Sequence, residues 1–247
     1  MTEETSLSPQ LTLLWGLREP QRRGPKPALS VRDITMAAVE VADQEGLAAV
    51  SMARVAAQLG NSTMALYRHV KSKSDLLMLM ADAALEYPPD FPDDGDWRSA
   101  MTLWAKSVLA AVRKHPWYVQ IPISGPPLGP HNLMWFDRAL QTLADTGLSE
   151  DDKVMLVMGL LTYVQGGFRL NVELSAGYAE NPAAFGRQYA AGLRQLVDPR
   201  QMPALSRLIE AKVFEYEAQA DSFMEDDFDF GLSVYLDGVA AHIARKA

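Results

Sequence analysis

The sequence predicts an all-α protein, and three observations carry that prediction. Apolar residues recur at helical spacing, most clearly at Trp97, Ala100, Met101, Trp104, Val108, Leu109 and Val112. Serines and aspartates stand where helix N-caps belong, just ahead of such runs. No stretch shows the paired alternation of a strand hairpin, and Pro-containing breaks separate the periodic segments.

Taken in order, residues 1–29 form a basic, Pro-containing extension with a short helix expected around Leu11 to Leu17. Within it, Arg22-Arg23-Gly24-Pro25-Lys26-Pro27 reads as an extended arm, because each proline biases its predecessor away from helix. Such an arm is either a solvated linker or a segment that lies along a DNA groove, as homeodomain arms do. From Ser30 the signals become regular. Ser30 and Asp33 have capping-box spacing, Ile34, Ala37, Ala38, Val41 and Ala42 mark one face, and Gly46 ends the helix. Ser51 caps a second helix with Met52, Val55, Ala56 and Leu59 facing inward. Gly60 and Asn61 turn the chain, and Ser62 caps a third helix reaching about Val70. Ser74 and Asp75 are expected to open a fourth helix that runs to the Pro88-Pro89 break.

Beyond an acidic Pro/Gly loop, Asp96 caps the long periodic helix, which should stop at His115 because Pro116 follows. QIPISGPPLGP reads as loop. A helix from about His131 to Thr146 ends at Gly147, and Ser149 with three acids opens another to about Leu174. Asn181-Pro182 and Asp198-Pro199 are cap-plus-N1 pairs, and a final helix covers roughly Asp226 to Ala244, its EDDFD cluster sitting at the start. The expected organisation is an extension (1–29), a small head (30–73), a connecting helix (74–89) and a larger body (90–247).

At 247 residues, with 48% hydrophobic and 22% charged, the chain has ample material for a buried core. It contains no cysteine, which excludes disulfides, thiolate metal sites and a cysteine nucleophile, and fits a reducing cytoplasm. The N-terminus lacks the basic and apolar regions of a signal peptide, and no apolar run approaches the ~20 residues of a membrane helix. A cytoplasmic protein without membrane partners is expected. Its formal net charge of -8 is sorted by region: residues 18–73 hold nine Lys/Arg against five Asp/Glu, whereas residues 74–247 hold fourteen against twenty-four. A basic head on an acidic body is the asymmetry expected when one end meets nucleic acid.

At 100° per residue, Leu66 and Val70 share the inward side of the third helix, while Met64, Tyr67, Arg68 and Lys71 cluster opposite, with Thr63 at the flank. A helix laid in a major groove needs such a set: Arg for guanine edges or phosphate, Thr or Met against a thymine methyl, Tyr and Lys for the backbone. Free amides near Ser51 and Ser62 add phosphate sites, and Lys73 can clamp another. The candidate DNA contacts are Ser51, Arg54, Ser62, Thr63, Met64, Tyr67, Arg68, His69, Lys71 and Lys73, with Arg22, Arg23 and Lys26 in the arm. One basic helix alone is more often a solvated face. Here it is the second of two short helices joined by a Gly-containing turn, with small Ala56 and Ala57 permitting a close crossing, which describes a helix-turn-helix.

At this point a resemblance becomes specific. Residues 32–80, including AAVEVADQEGLAAVSMARVAAQLGNSTMALYRHVKSKSDLL, resemble the DNA-binding domain of the TetR family of bacterial transcriptional regulators. Gly46-Leu47, Val55-Ala56, Leu59-Gly60, the Leu66-Tyr67-Arg68-His69-Val70 run, and Lys73 before Leu76-Leu77 carry it. Asn61 departs from the apolar residue common there. Further on the likeness is loose, chiefly the FDFGLSVYLDGV tail. The resemblance implies a ligand-responsive regulator, expected to repress, that binds a near-palindromic operator. It further implies that residues 90–247 dimerise through a four-helix bundle and hold a small-molecule pocket.

The residues of the body lend that implication partial support. VMLVMGLLTYVQGGFRL is apolar nearly all round, and Gly159, Gly166 and Gly167 within it each cost about 1 kcal/mol relative to Ala, so close packing against them is expected. With Tyr163, they and Phe230, Val234, Tyr235, Gly238, Val239 and His242 form the expected self-association seam; the alternative is burial inside a monomer. Aromatic and methionine residues cluster on three helices: Trp104, Trp117, Tyr118, Met134, Trp135, Phe136, Met155, Met158 and Tyr163, beside Val108. Thr162, Gln165, Arg138 and His115 are the candidate polar groups of an apolar pocket for an apolar or aromatic effector. Enzyme motifs are lacking: Asp229-Phe230-Gly231 stands without a phosphate loop, and no HExxH, G-x-S-x-G or Walker sequence occurs. No catalytic residue, metal or cofactor is expected. The rival reading is a helical small-molecule-binding or protein-interaction dimer without specific DNA recognition.

Overall fold

The computed structural model describes residues 7–17, 29–90, 96–122, 128–178, 182–213 and 220–246, and all regular structure among them is helical. The candidate arm residues Arg22, Arg23 and Lys26, and Asn181 of the first Asn-Pro pair, lie outside the described residues. The chain divides into two compact units, one comprising 1–168 and 239–247, the other 169–238.

In the first unit, α1 (Pro9–Leu14) is capped by Ser8 and buries Leu13. It packs against α5 (Lys73–Leu85), so this part of the extension is docked rather than free. α2 (Val31–Glu45) starts with the expected capping box, and Ile34, Ala37, Ala38, Val41 and Ala42 are all buried. A single 3-10 turn at Leu47–Ala49, not anticipated from sequence, leads to α3 (Met52–Gln58), capped by Ser51. The turn into α4 (Thr63–Tyr67) uses Gly60 at φ 63°, a conformation costly for side-chain-bearing residues. Asn61 is accommodated because its Nδ2 donates to the Leu59 carbonyl at 2.9 Å. Of the two alanines expected at the crossing, Ala56 is buried and Ala57 is exposed, so one small side chain suffices.

Three boundaries in this region differ from the sequence reading. α4 ends at Tyr67 rather than about Val70, with Arg68 as its C-cap and the Lys71 Nζ donating to the Tyr67 and Arg68 carbonyls at 3.0 and 3.4 Å. α5 begins at Lys73, because Ser72 rather than Ser74 accepts the Asp75 amide at 3.0 Å. It also ends earlier than the prolines: Glu86 turns to φ 52°, and its carboxylate pairs with the Lys114 Nζ at 2.5 Å. The head core is built from Ile34, Val41, Val50, Val55, Leu66, Val70, Leu76 and Met80, all fully buried.

α6 (Trp97–Lys114) is capped by Asp96 and stops at His115 as expected. Pro116–Gln120 forms a short 3-10 turn just ahead of the segment read as loop. α7 (Pro130–Thr142) is shorter than expected: a separate 3-10 turn, Ala144–Thr146, intervenes before left-handed Gly147. α8 (Glu150–Tyr178) and α11 (Ala220–Lys246) run through both units. The second unit adds α9 (Pro182–Leu196) and α10 (Pro203–Glu210). The Asp198-Pro199 pair opens a turn, not a helix: Asp198 accepts the Arg200 and Met202 amides, and helix resumes only at Pro203. No helix among the described residues is long and apolar enough to cross a membrane.

Candidate DNA interface and ligand cavity

The head presents one helix with two chemically distinct sides. Leu66 and Val70 are fully buried and anchor α4 to the core. Opposite them Met64 is 72% exposed and Tyr67 39%, and Arg68, Lys71, Lys73 and Ser62 are exposed as well. Thr63 and His69 are half-buried at the flanks. The Ser62 hydroxyl accepts the Ala65 amide at 3.3 Å, and Ser51 accepts that of Arg54 at 3.1 Å, so both serines are the local caps. Arg54 is engaged: its guanidinium donates to Glu45 at 2.5 to 3.2 Å and to Gln58 at 3.0 Å, tying α3 to α2. That pairing holds the Glu45 carboxyl below its ordinary range and raises Arg54. Arg54 therefore braces the free head, and the Lys71 ammonium, which caps α4, does likewise.

The body contains a narrow, partly open apolar cavity, with about 30 Å³ of space that water can enter. Trp104 and Val108 of α6, Trp135 and Phe136 of α7, and Gln165 of α8 line it, and all five, like Tyr118, belong to the candidate set above. Leu85, Tyr118, Asn132 and Leu161 complete the lining. The other candidates stand elsewhere. Met134 and Met158 are exposed. The Thr162 hydroxyl donates to its own helix at the Met158 carbonyl, 2.8 Å. Arg138 lies 3.8 Å from Asp90 and donates to Gln141. His115 and Trp117 point to the head instead: both ring nitrogens meet Asp43 Oδ1 of α2, at 2.8 Å for His115 Nδ1 and 2.6 Å for Trp117 Nε1. Trp117 is buried within the head core itself.

Two cavity walls also hold the connecting helix α5. Asp82, 5% exposed, accepts Asn132 Nδ2 and the Asn132 amide at 3.1 Å, and faces His131 Nδ1 at 2.8 Å. It thereby caps α7 from α5, and a Cβ on Gly129 would fall onto its carboxylate. Trp135 donates its indole N–H to the Leu85 and Glu86 carbonyls at 3.2 and 3.3 Å, closing the end of α5, while Trp104 donates to the Trp135 carbonyl at 2.8 Å. Tyr118, also in the lining, is hydrogen-bonded to Gln165; burial, with the field of Asp82 adding, pushes its phenol up to about 12. Asp43 and Asp82 were missed by the sequence reading. The signal was there, since Asp82 is a lone acid in the apolar stretch LLMLMADAAL.

On α8, Met155 is 64% exposed, and Val154, Leu170 and Leu174 are exposed too; on α11, Phe230 and Val234 are exposed. Gly166 and Gly167 are exposed with open space where a Cβ would stand, so the packing expected against them does not come from the described residues of the chain. Gly159, Tyr163 and Tyr235 are half-buried. Val239 is buried and His242 contacts Asp152 at 3.5 Å, which places these two in the chain's own packing rather than on the exposed face.

Comparison with known proteins bears on both regions. Residues 34–79 match the family described as bacterial regulatory proteins, tetR family, and residues 89–243 match the tetracyclin repressor-like C-terminal domain. The HTH-type transcriptional repressor DrrR1 of Streptomyces coeruleorubidus is 35% identical over 244 residues, covering 96% of this chain and 86% of that protein. Apo ActR from Streptomyces coelicolor superposes with a TM-score of 0.74 at 24% identity, covering 90% of this chain and 99% of ActR. ActR in complex with actinorhodin gives 0.72 at 25% identity, covering 87% and 98%.

Proposed function

Because the chain belongs to the TetR family of bacterial transcriptional regulators, a family of regulators and not of enzymes, we propose that it is a dimeric repressor released from its operator by an aromatic effector. The observation that carries the reading is the outward side of α4, where Met64, Tyr67 and Arg68 project while Leu66 and Val70 are locked into the core. In a two-fold dimer, two such helices enter successive major grooves of a near-palindrome, with half-sites roughly 34 Å or a multiple apart. The exposed apolar residues of α8 and α11 are the surface for that dimer, because a monomer leaves Met155, Phe230 and Val234 in water. The protein acts in the cytoplasm, where its DNA lies.

Effector uptake is assigned to the cavity lined by Trp104, Trp135 and Phe136. DrrR1 is a repressor and ActR has been solved with actinorhodin, which favours an aromatic effector here. Release follows from shared residues: Asn132 and Trp135 face the cavity and also hold α5, the helix that carries the head. A ligand that repositions either side chain changes the seat of α5, and with it the spacing of the two reading helices. The coupling is bounded by the ligand's preference for the released state, about 1 to 3 kcal/mol being typical.

Selection from random-sequence duplex DNA, followed by affinity measurement over a salt series, tests the reading. A near-palindromic consensus and a steep fall of affinity with salt are expected. No enrichment would leave the rival, a helical ligand-binding dimer without DNA recognition. Light scattering giving a monomer at micromolar concentration would remove the dimer.

A further inference from the structure

The polar chemistry of the cavity is sparse, and that sparseness specifies what it takes. Resting on the cavity as the effector site, we propose that Asn132 is its specificity-determining residue and that it selects an uncharged aromatic compound bearing a hydroxyl group. Aromatic walls from α6 and α7 favour a flat ring system. None of the lining residues is ionised, so a charged ligand would enter without a counter-charge and lose its hydration. An anion meets a further obstacle, because the buried Asp82 carboxylate is bonded directly to Asn132 and its field adds to the rise of the Tyr118 phenol, another residue of the lining. A cation gains little, since Asp82 is already met by the Asn132 amide group, two backbone amides of α7 and His131.

Asp82 also decides which end of the Asn132 amide is offered. A carboxylate only accepts, so it holds Nδ2 and fixes the amide against rotation by 180°. The remaining end, Oδ1, is an acceptor, and its complement is a hydroxyl donor on the ligand. Tyr118 and Gln165, the other polar residues of the lining, bond each other, whereas Asn132 is the polar lining residue bonded to a carboxylate of α5. Because Asp82 belongs to α5, the residue that reads the hydroxyl is the one bonded to the head-bearing helix.

Four matched probes test this on the full chain by isothermal titration calorimetry: 2-naphthol, 2-methoxynaphthalene, 2-naphthoate and 2-naphthylmethylammonium. 2-Naphthol is expected to bind about tenfold tighter than its methyl ether, the worth of one hydrogen bond, and tighter than either ion. Asn132→Ala should bring 2-naphthol down to the level of the ether and leave the ether within about twofold. The ranking on the unaltered chain stands even where that variant fails to fold. Equal binding of naphthol and ether, preference for naphthoate or the ammonium, no binding by any probe, or a hydroxyl preference that survives in Asn132→Ala would each overturn the proposal. Phe136→Trp, which fills the cavity, separates the two readings. If it leaves naphthol binding intact, the cavity is not the site and the effector assignment falls as well. If it abolishes binding while the probe ranking is wrong, only the role of Asn132 falls.

Discussion

The junction at Asp43 yields a quantitative prediction. Trp117 comes from the 3-10 turn after α6, yet its indole is 3% exposed inside the head core and donates to Asp43 of α2 at 2.6 Å. Trp117→Phe removes that N–H and also leaves space in the core, Asp43→Ala removes the acceptor, and the double variant removes both. A hydrogen bond to a charged group contributes about 1.5 to 3 kcal/mol. The Asp43 side chain is 35% exposed and keeps His115, so water replaces part of what is lost and the lower end applies. The double-mutant cycle should therefore give a coupling of about 1.5 kcal/mol, with the space left by the smaller ring cancelling between its two arms. Chemical denaturation of all four proteins at one fixed concentration measures it, because an assembling protein's stability depends on concentration. Strict additivity, within about 0.4 kcal/mol, would show that the contact does not join head to body in solution.

Other consequences concern the DNA face and two titrating groups. Arg68→Ala combined with Tyr67→Phe should lower operator affinity at least about tenfold in a gel-shift series and leave the thermal midpoint within about 2 °C, since both side chains are exposed. Unchanged affinity would discredit the groove assignment. The Tyr118 phenol is raised from 10.0 to about 12 in the fold, so the stability it secures is complete below pH 10 and is lost as pH climbs through 12. Melting curves of Tyr118→Phe should lack that share of the alkaline loss, and parallel curves for both proteins would contradict it. For Glu45 the sign is opposite: Arg54 depresses its carboxyl below 4.5, so the pair stabilises above that pH and fades as pH falls through the lower folded value. Arg54→Gln should flatten the acid limb of a pH–stability profile, and an unaltered limb would show the pair to be inert.

The sequence by itself determined the helices, the caps at Ser30, Ser51, Ser62 and Asp96, and the inward and outward sides of the reading helix. Each of these depends on residues within one or two turns of one another, through a 100° step or a hydroxyl three residues from an amide. Local chemistry was ambiguous at element ends: where two caps competed, as at Ser72 and Ser74, where a bend with positive φ cut α5 short at Glu86, and where 3-10 turns replaced expected helix or loop.

The cavity and the links between head and body were decided by the tertiary structure. The walls were partly legible, because Trp104, Val108, Trp135 and Gln165 were singled out as large or polar residues on neighbouring helices. Nothing local distinguishes Trp117, which enters the head core, from Trp135, which lines the cavity; their fates turn on Asp43 and on Leu85, 74 and 50 residues away. Likewise Asp82 reads as a misplaced charge until the α7 N-terminus is brought onto it. A buried polar group is explained by its partners, and when they lie on another helix only the folded chain supplies them.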